Sequence, residues 1–482
     1  MAPYLQPRLE GDLRSVLEQP DLARQLVDAL GSPLNLVLPD QVVRNLQSFR
    51  LVYGRHHLGG QVYFAHKANR SHALVRRLAA TDAGIDVASL AELQHALGAG
   101  FGPDRIMASG PKNREFLWLA ARAGVIVNAD SAAELAQLAA IVAAHALPTV
   151  RVMARLSGFA SPGVQVMTRT SRFGTPAGDL AAVWEVVEKH RDELDFLGVA
   201  YHLDTIGLPE KAAALEGCLR ATDEAHRRGL RPRAVDIGGG FGVNYLADER
   251  QWQDWTTELT SAVLGRRSPL TWNGHGYGLR NEDGKVRGSL GVYPAHRPLA
   301  GPAYLDRLLA TAAPSLRRPL GTLLLDSMCD LYVEPGRALL DQCGAVLAEV
   351  LEVRERSGGE ILLLLGCNAG DLGLEEHGVL MDPVLLRAAD RSGSGPVGVY
   401  LMGNLCLEAD LLTRRKVFLP ELPRPGDVLA FVNTAGYFMD FSAGHALMQP
   451  IARTVAAYRD GGNWRWCLDE QYWPVDRGRE QG

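Results

Sequence analysis

The sequence predicts a (β/α)8 TIM barrel followed by a mainly β domain, and two patterns carry that prediction. Between residues 60 and 338, short apolar runs alternate with helical patterns, eight times over. Eight such units suit a closed barrel better than an open doubly wound sheet. Beyond residue 338, Gly, Pro and Asp turns separate the apolar runs, as between strands of a β domain.

The eight barrel strands read as "VYFAH", "GIDVAS", "RIMAS", "VIVNAD", "VRVMARL", "LGVAYHL", "AVDIGGG" and "LYVEPG". Ser89 with Glu92, and Ser131 with Glu134, have capping-box spacing ahead of apolar-periodic runs. "GDLAAVWEVVEKHRDEL" and "KAAALEGCLRATDEAHRRG" repeat apolar positions at intervals of three and four, the period of a helix. The β domain offers "AVLAEVLEVRE", "EILLLLGC", "VGVYLMGNLCL", "RKVFLPEL", "DVLAFVNTAGYF" and "RTVAAYRDGGNWRWCL", the last turning back at Asp460-Gly461-Gly462. "TLLLDSMC" also has the length of a buried strand. Residues 1–40 are expected to form an N-terminal segment whose strand "LNLVLP" pairs with the β domain, residues 41–337 the barrel, and residues 338–482 the β domain. Within the barrel, residues 246–320 read as a large insertion rich in Gly, Pro, Arg and aromatic residues. A segment of that size is usually functional or mobile.

A chain of 482 residues, 47% hydrophobic and 22% charged, has an ordinary soluble composition. Its formal net charge of −5 leaves no basic footprint for nucleic acid or an anionic membrane. No apolar run approaches the roughly 18 residues a membrane span needs, and the first residues lack the character of a secretory signal. The six cysteines are scattered without a C-x-x-C pair, which argues against zinc or a disulfide framework and for a cytoplasmic location.

Barrel enzymes place their chemistry at the C-terminal ends of the strands. Those ends carry Lys67, Asp86, Arg155, His202, Gly238-Gly239-Gly240 and Glu334. A lysine at the inner end of a buried strand must be paired, neutralised or used covalently, because desolvating an ammonium is costly. A lysine can condense with an aldehyde, and three glycines let backbone N–H groups close around a phosphate. A histidine can stack on a ring, and a carboxylate can hold a pyridine nitrogen protonated. Together these are the requirements of pyridoxal 5'-phosphate.

Eight segments then resemble, in family order, the motifs of the fold-type III pyridoxal-phosphate decarboxylases, which act on diaminopimelate, ornithine or arginine and share an alanine-racemase-type barrel. "YFAHKAN" resembles the lysine motif Y-A-x-K-A-N, and "GIDVASLAELQHALGAG" the segment G-x-D-V-A-S-x-x-E-L. "SRFGT" stands for S-K-F-G, "YHLDT" for H-x-G-S, "DIGGGF" for the glycine loop and "VEPGR" for E-P-G-R. "GNLCLEAD" matches G-x-x-C-x-x-x-D, and "TAGYF" the G-A-Y segment. The resemblance implies that Lys67 joins the cofactor's aldehyde, that His202 packs on its ring and that Glu334 pairs with the pyridine nitrogen. It puts Thr205, the Gly238–Gly240 backbone and Tyr437 at the phosphate, Arg337 near phosphate or substrate carboxylate, and Asp86 and Arg155 at the cofactor. Cys406 would reprotonate the substrate, reaching across a homodimer with shared sites.

The departures from the family concern the substrate. Leu407 replaces the acidic residue that holds a distal ammonium, and Glu408 is the candidate substitute one residue later. "GLEEHGVLMDP" follows "CNAGDL" where the family's distal-carboxylate motif R-P-x-L-Y is expected. Asp204 and Arg172 replace a motif glycine and lysine, and the 246–320 segment is unusually long, with Trp272, His275, Tyr277, Arg280 and Arg287 as candidate contacts. The expected function is Cα decarboxylation of an amino acid, a specialised or secondary-metabolic small-molecule substrate rather than diaminopimelate or ornithine. Racemisation or other Cα chemistry on the same scaffold is the alternative, with Glu334 speaking against a racemase, whose barrel sets an arginine at the pyridine nitrogen.

Overall fold

The computed structural model describes the chain except residues 1–2, 20, 160–170, 204, 389–392, 394, 440 and 475–482. The departure at Asp204 therefore lies outside the described residues. The chain divides into two units, one of Val43–Gly242 and Leu299–Leu339 with Trp473, the other of Met1–Val42, Val243–Pro298 and Leu340–Tyr472.

In the first unit eight parallel strands close on themselves. They are Gly60–Ala65 (β1), Gly84–Val87 (β2), Ile106–Ala108 (β3), Ile126–Ala129 (β4), Val150–Ser157 (β5), Leu194–Tyr201 (β6), Ala234–Asp236 (β7) and Asp330–Val333 (β8). Each pairs with the next, and β8 pairs with β1. Strands covered on both faces need apolar residues in succession, which is why the runs read as continuous rather than alternating. Tyr63, Met107, Ile126, Met153, Leu197, Ala200 and Ala234 pack into one cluster with Tyr332 against it. Seven strands contribute to that cluster, so the barrel is filled by side chains rather than left as a pore.

The helices begin where their caps say. Ser71, Ser89, Asn113 and Ser131 each accept a hydrogen bond from the N–H three residues on. Glu92 and Glu134 reach one residue further back than a capping box requires, to the N–H of Ala88 and Asp130. "TLLLDSMC" is a correction: Leu320–Asp326 is a helix. Leu320, Leu323 and Leu324 are buried while Leu325 is exposed, so the run has helical phase that its composition alone hides.

In the second unit, Leu34–Val37 lies between Gly344–Glu355, antiparallel, and Arg453–Asp460, parallel. The helices Gly11–Leu17 and Leu22–Leu30 pack Leu13, Val16, Leu26 and Val27 against this sheet. The expected barrel insertion is also corrected. Residues 243–298 group with the β strands, and the chain re-enters the barrel unit at Leu299. Nor is the segment a structureless loop: it holds the helix Glu249–Val263 and a hairpin of Leu279–Glu282 with Lys285–Gly288. Trp272 N–H donates to Arg414 O at 2.6 Å, and Tyr293 N–H to Gly378 O at 2.8 Å, long-range bonds invisible to local pattern.

Barrel closure leaves no room at Gly60, whose φ is +131° and whose β-carbon would sit 1.9 Å from the Leu331 carbonyl oxygen on β8. Gly60→Ala should therefore destabilise the protein by more than about 2 kcal/mol. Gly54→Ala, in open space on the helix Pro39–Arg55, should be neutral or stabilise by up to about 1 kcal/mol. Thermal unfolding of the two variants checks the opposite signs.

Candidate active site at the barrel strand ends

Lys67 stands on the 3-10 turn His66–Ala68 that ends β1. His66 and Ala68 are buried on either side while Lys67 itself is exposed. Ser71 stops this turn from running on, because its cap begins the next helix. Asp86, on β2 and in register with Ala65, is buried. Arg155 projects from β5, with its guanidinium 4.8 Å from the Phe173 ring and Nη1 3.8 Å from Asp130 Oδ1.

His202, just past β6, accepts a hydrogen bond from Gly239 N–H at Nδ1, 3.3 Å away, and the same nitrogen lies 3.7 Å from Glu334 Oε2. Gly238 N–H donates to Asp236 Oδ1 at 2.7 Å, and Glu334 N–H donates to Gly238 O at 2.9 Å. The loop after β7 is thereby laced to the ends of β6 and β8. Gly238 and Gly240 have φ of +61° and +83°. A β-carbon would meet Tyr201 O at 2.6 Å from Gly238, and Glu334 O at 2.8 Å from Gly239. Only glycine fits this loop.

Three carboxyls are buried here, and their charges conflict. Burial, and then the negative charge of Glu334, push Asp86 up to about 8 and Asp236 well above the usual carboxylate range. Burial also acts to raise Glu334, but His202 and the cations Lys67 and Arg155 outweigh it and hold Glu334 below its ordinary value. Burial lowers His202, which favours the neutral ring. At neutral pH these three therefore comprise one carboxylate, Glu334, which feels the charge of Lys67, and two protonated carboxyls.

The structure thus brings Lys67, Asp86, Arg155, His202, Thr205, Gly238–Gly240, Glu334 and Arg337 into one unit. Cys406, Leu407, Glu408 and Tyr437 belong to the other, where Cys406, Leu407 and Glu408 are exposed and Tyr437 is half-buried with φ of +74°. Of the five residues named in the 243–298 segment, Tyr277 donates to Glu375 Oε2 at 2.9 Å and Trp272 packs edge-on to Tyr400 at 5.2 Å. His275 accepts from Tyr277 N–H, and Arg280 and Arg287 lie exposed on the hairpin. Two residues escaped the sequence reading, Asp236 and Lys211. The signals existed: an aspartate ending an apolar strand, and a lysine in phase with Leu215, Cys218 and Thr222 on the apolar side of its helix.

The family described as pyridoxal-dependent decarboxylase, pyridoxal binding domain, matches residues 39–285. That is more than half of the chain. The chain belongs to the pyridoxal-dependent decarboxylases. An uncharacterized protein, y4yA, of Sinorhizobium fredii is 30% identical to it over 89% of this chain and 88% of its own. The L-glutamyl-[BtrI acyl-carrier protein] decarboxylase of Niallia circulans is 25% identical over 81% of each chain. The crystal structure of a diaminopimelate decarboxylase from M. jannaschii shares the fold, with a TM-score of 0.71, 18% identity, and coverage of 93% of this chain and 91% of its own. The cofactor of this decarboxylase is pyridoxal phosphate, and the strand ends fit it. A loop of three glycines that excludes every β-carbon lets a phosphate approach its backbone closely, and the ionised Glu334 suits a protonated ring nitrogen. Among the described residues no helix is long and apolar enough to cross a membrane, and no disulfide joins the cysteines.

The raised Asp86 has a pH consequence. A carboxyl whose folded pKa is about 8 binds its proton more tightly folded than unfolded, so it costs stability progressively as pH rises from about 4 to about 8. Asp86→Asn cannot ionise and escapes that loss. In cofactor-free protein its advantage over wild type should grow by roughly 2 kcal/mol or more between pH values of about 5 and 8 and then level off. Thermal melts across that range check it.

Proposed function

We propose that this decarboxylase removes the α-carboxylate of an amino acid whose distal end carries no free charge, and that it works as a homodimer. The observation that carries the substrate reading is Leu407, 56% exposed beside the exposed Cys406. A distal ammonium set against a leucine would lose water without gaining a partner.

The segment after "CNAGDL" supports the same reading. Its acidic groups are engaged within their own unit: Glu375 accepts from Tyr277, Thr413 and Arg414, Glu376 from Ser442, and Asp382 from Arg415 at 2.6 Å. The Niallia circulans relative is named for an amino acid held on a carrier protein, which supports substrates larger than a free diamino acid.

When bound, pyridoxal phosphate supplies the sink for the electron pair left on Cα as carbon dioxide departs. Lys67 would hold its aldehyde end, Gly238–Gly240 with Thr205, Arg337 and Tyr437 its phosphate, Glu334 its ring nitrogen and His202 its ring face. Glu334 stays ionised and so retains a proton on the atom it faces. Asp86, neutral below a pH of about 8, adds an O–H group instead of a second negative charge. Cys406, the exposed thiol, is the group assigned to return a proton to Cα, and Leu407 and Glu408 flank the substrate beside it.

A panel assayed for carbon dioxide release tests the substrate. Uncharged-end substrates, such as γ-amide or γ-thioester derivatives of glutamate, should exceed ornithine, lysine and meso-diaminopimelate by at least about 100-fold in kcat/KM. Efficient turnover of ornithine or meso-diaminopimelate would overturn the reading. Sharing of sites is tested by mixing Lys67→Ala with Cys406→Ala, each inactive alone. Random hybrid dimers should recover up to about one quarter of wild-type activity, and none would return, despite proven subunit exchange, if each site were built from one chain.

A further inference from the structure

The barrel unit buries a cation that nothing above uses. Lys211 lies near the start of the helix Leu208–Arg227, and none of its surface is exposed. An ammonium taken out of water is costly, and the positive end of a 20-residue helix makes the place worse for a cation. That cost needs a structural reason, and the glycine loop supplies one.

Its contacts lie on that loop. Lys211 Nζ donates a hydrogen bond to the carbonyl of Gly239, in the middle of the glycine loop. A β-carbon on Gly240 would lie 2.8 Å from that nitrogen and 3.0 Å from Thr205 O. The rings of Phe241 and Tyr304 stand 5.3 and 6.0 Å from Nζ, and Tyr201 O–H donates to the Lys211 carbonyl at 3.2 Å. The ammonium is therefore packed against the loop and anchored at both ends. In a trans peptide the C=O and N–H point in opposite directions. With the Gly239 carbonyl turned to Lys211, the N–H of Gly240 is turned away from it, and the cation polarises that N–H into a stronger donor.

We propose that Lys211 is a positioning residue for the cofactor's phosphate. It aims the Gly240 N–H outward and sets a fixed positive charge behind the loop. The resulting preference is for the phosphorylated form of the ligand over its unphosphorylated form, independent of Lys67.

Pyridoxamine 5'-phosphate and pyridoxamine are the probes, because neither has an aldehyde to condense with Lys67, and their difference isolates the phosphate. Full-length, cofactor-free protein is titrated with each by calorimetry or fluorescence. Binding of pyridoxamine 5'-phosphate by the wild type checks the cofactor site separately from the lysine. Lys211→Met should weaken pyridoxamine 5'-phosphate at least about tenfold and change pyridoxamine less than about twofold. Lys211→Gln serves as the second neutral variant should the methionine form not fold. Lys211→Arg keeps the charge and should keep most of the preference. Equal weakening of both ligands in the neutral variants, an unchanged preference, or loss of the preference in Lys211→Arg as well would overturn the assignment.

Discussion

Asp86, Asp236 and Glu334 are buried at the ends of parallel strands that converge on one rim, close enough for each carboxyl to feel another's charge. Three carboxylates cannot all ionise in such a place. Closure of the barrel imposes that conflict, because parallel strands bring their last residues to the same end. The conflict resolves on Glu334, which alone of the three is held below its ordinary value, by His202 and the cations Lys67 and Arg155. The other two pay with protonation. Of these three carboxyls Glu334 is thus the one held ionised, within reach of the charge of Lys67.

The glycine loop ties this electrostatic arrangement to backbone geometry. Gly238 N–H is spent on Asp236, Gly239 N–H on His202, and the Gly239 carbonyl on Lys211. Glu334 is in turn bonded through its N–H to Gly238 O. Moving the loop would disturb Glu334, and moving Glu334 would disturb the loop. Buried polar networks of this kind hold one arrangement when fully satisfied and are costly when broken.

Specificity is a separate matter from this rim. The acidic side chains that follow "CNAGDL" are consumed by arginine, tyrosine, serine and threonine partners inside the β unit. Asp382 and Arg415 are both buried, an ion pair whose two halves neutralise each other rather than a ligand. Residues 243–298, which interrupt the barrel's sequence, are the source of one of those partners, Tyr277. The long segment therefore acts structurally on the stretch that follows "CNAGDL".

By itself the sequence determined the strand order of the barrel, the caps at Ser89 and Ser131, and the polar residues at each strand end, because those depend on local period and on residue chemistry. It also determined the family, through motifs carried on single short segments. It misplaced Leu320–Asp326, since a short apolar run has no visible phase until its neighbours bury one side of it. It could not assign residues 243–298 to the β unit, because the bonds to Gly378 and Arg414 join residues far apart in the chain. Asp236 and Lys211 left a trace at a strand end and in a helix phase, but what they do was decided by the tertiary structure. Their chemistry comes from being enclosed, and enclosure is a property of the closed barrel and not of the residues on either side of them.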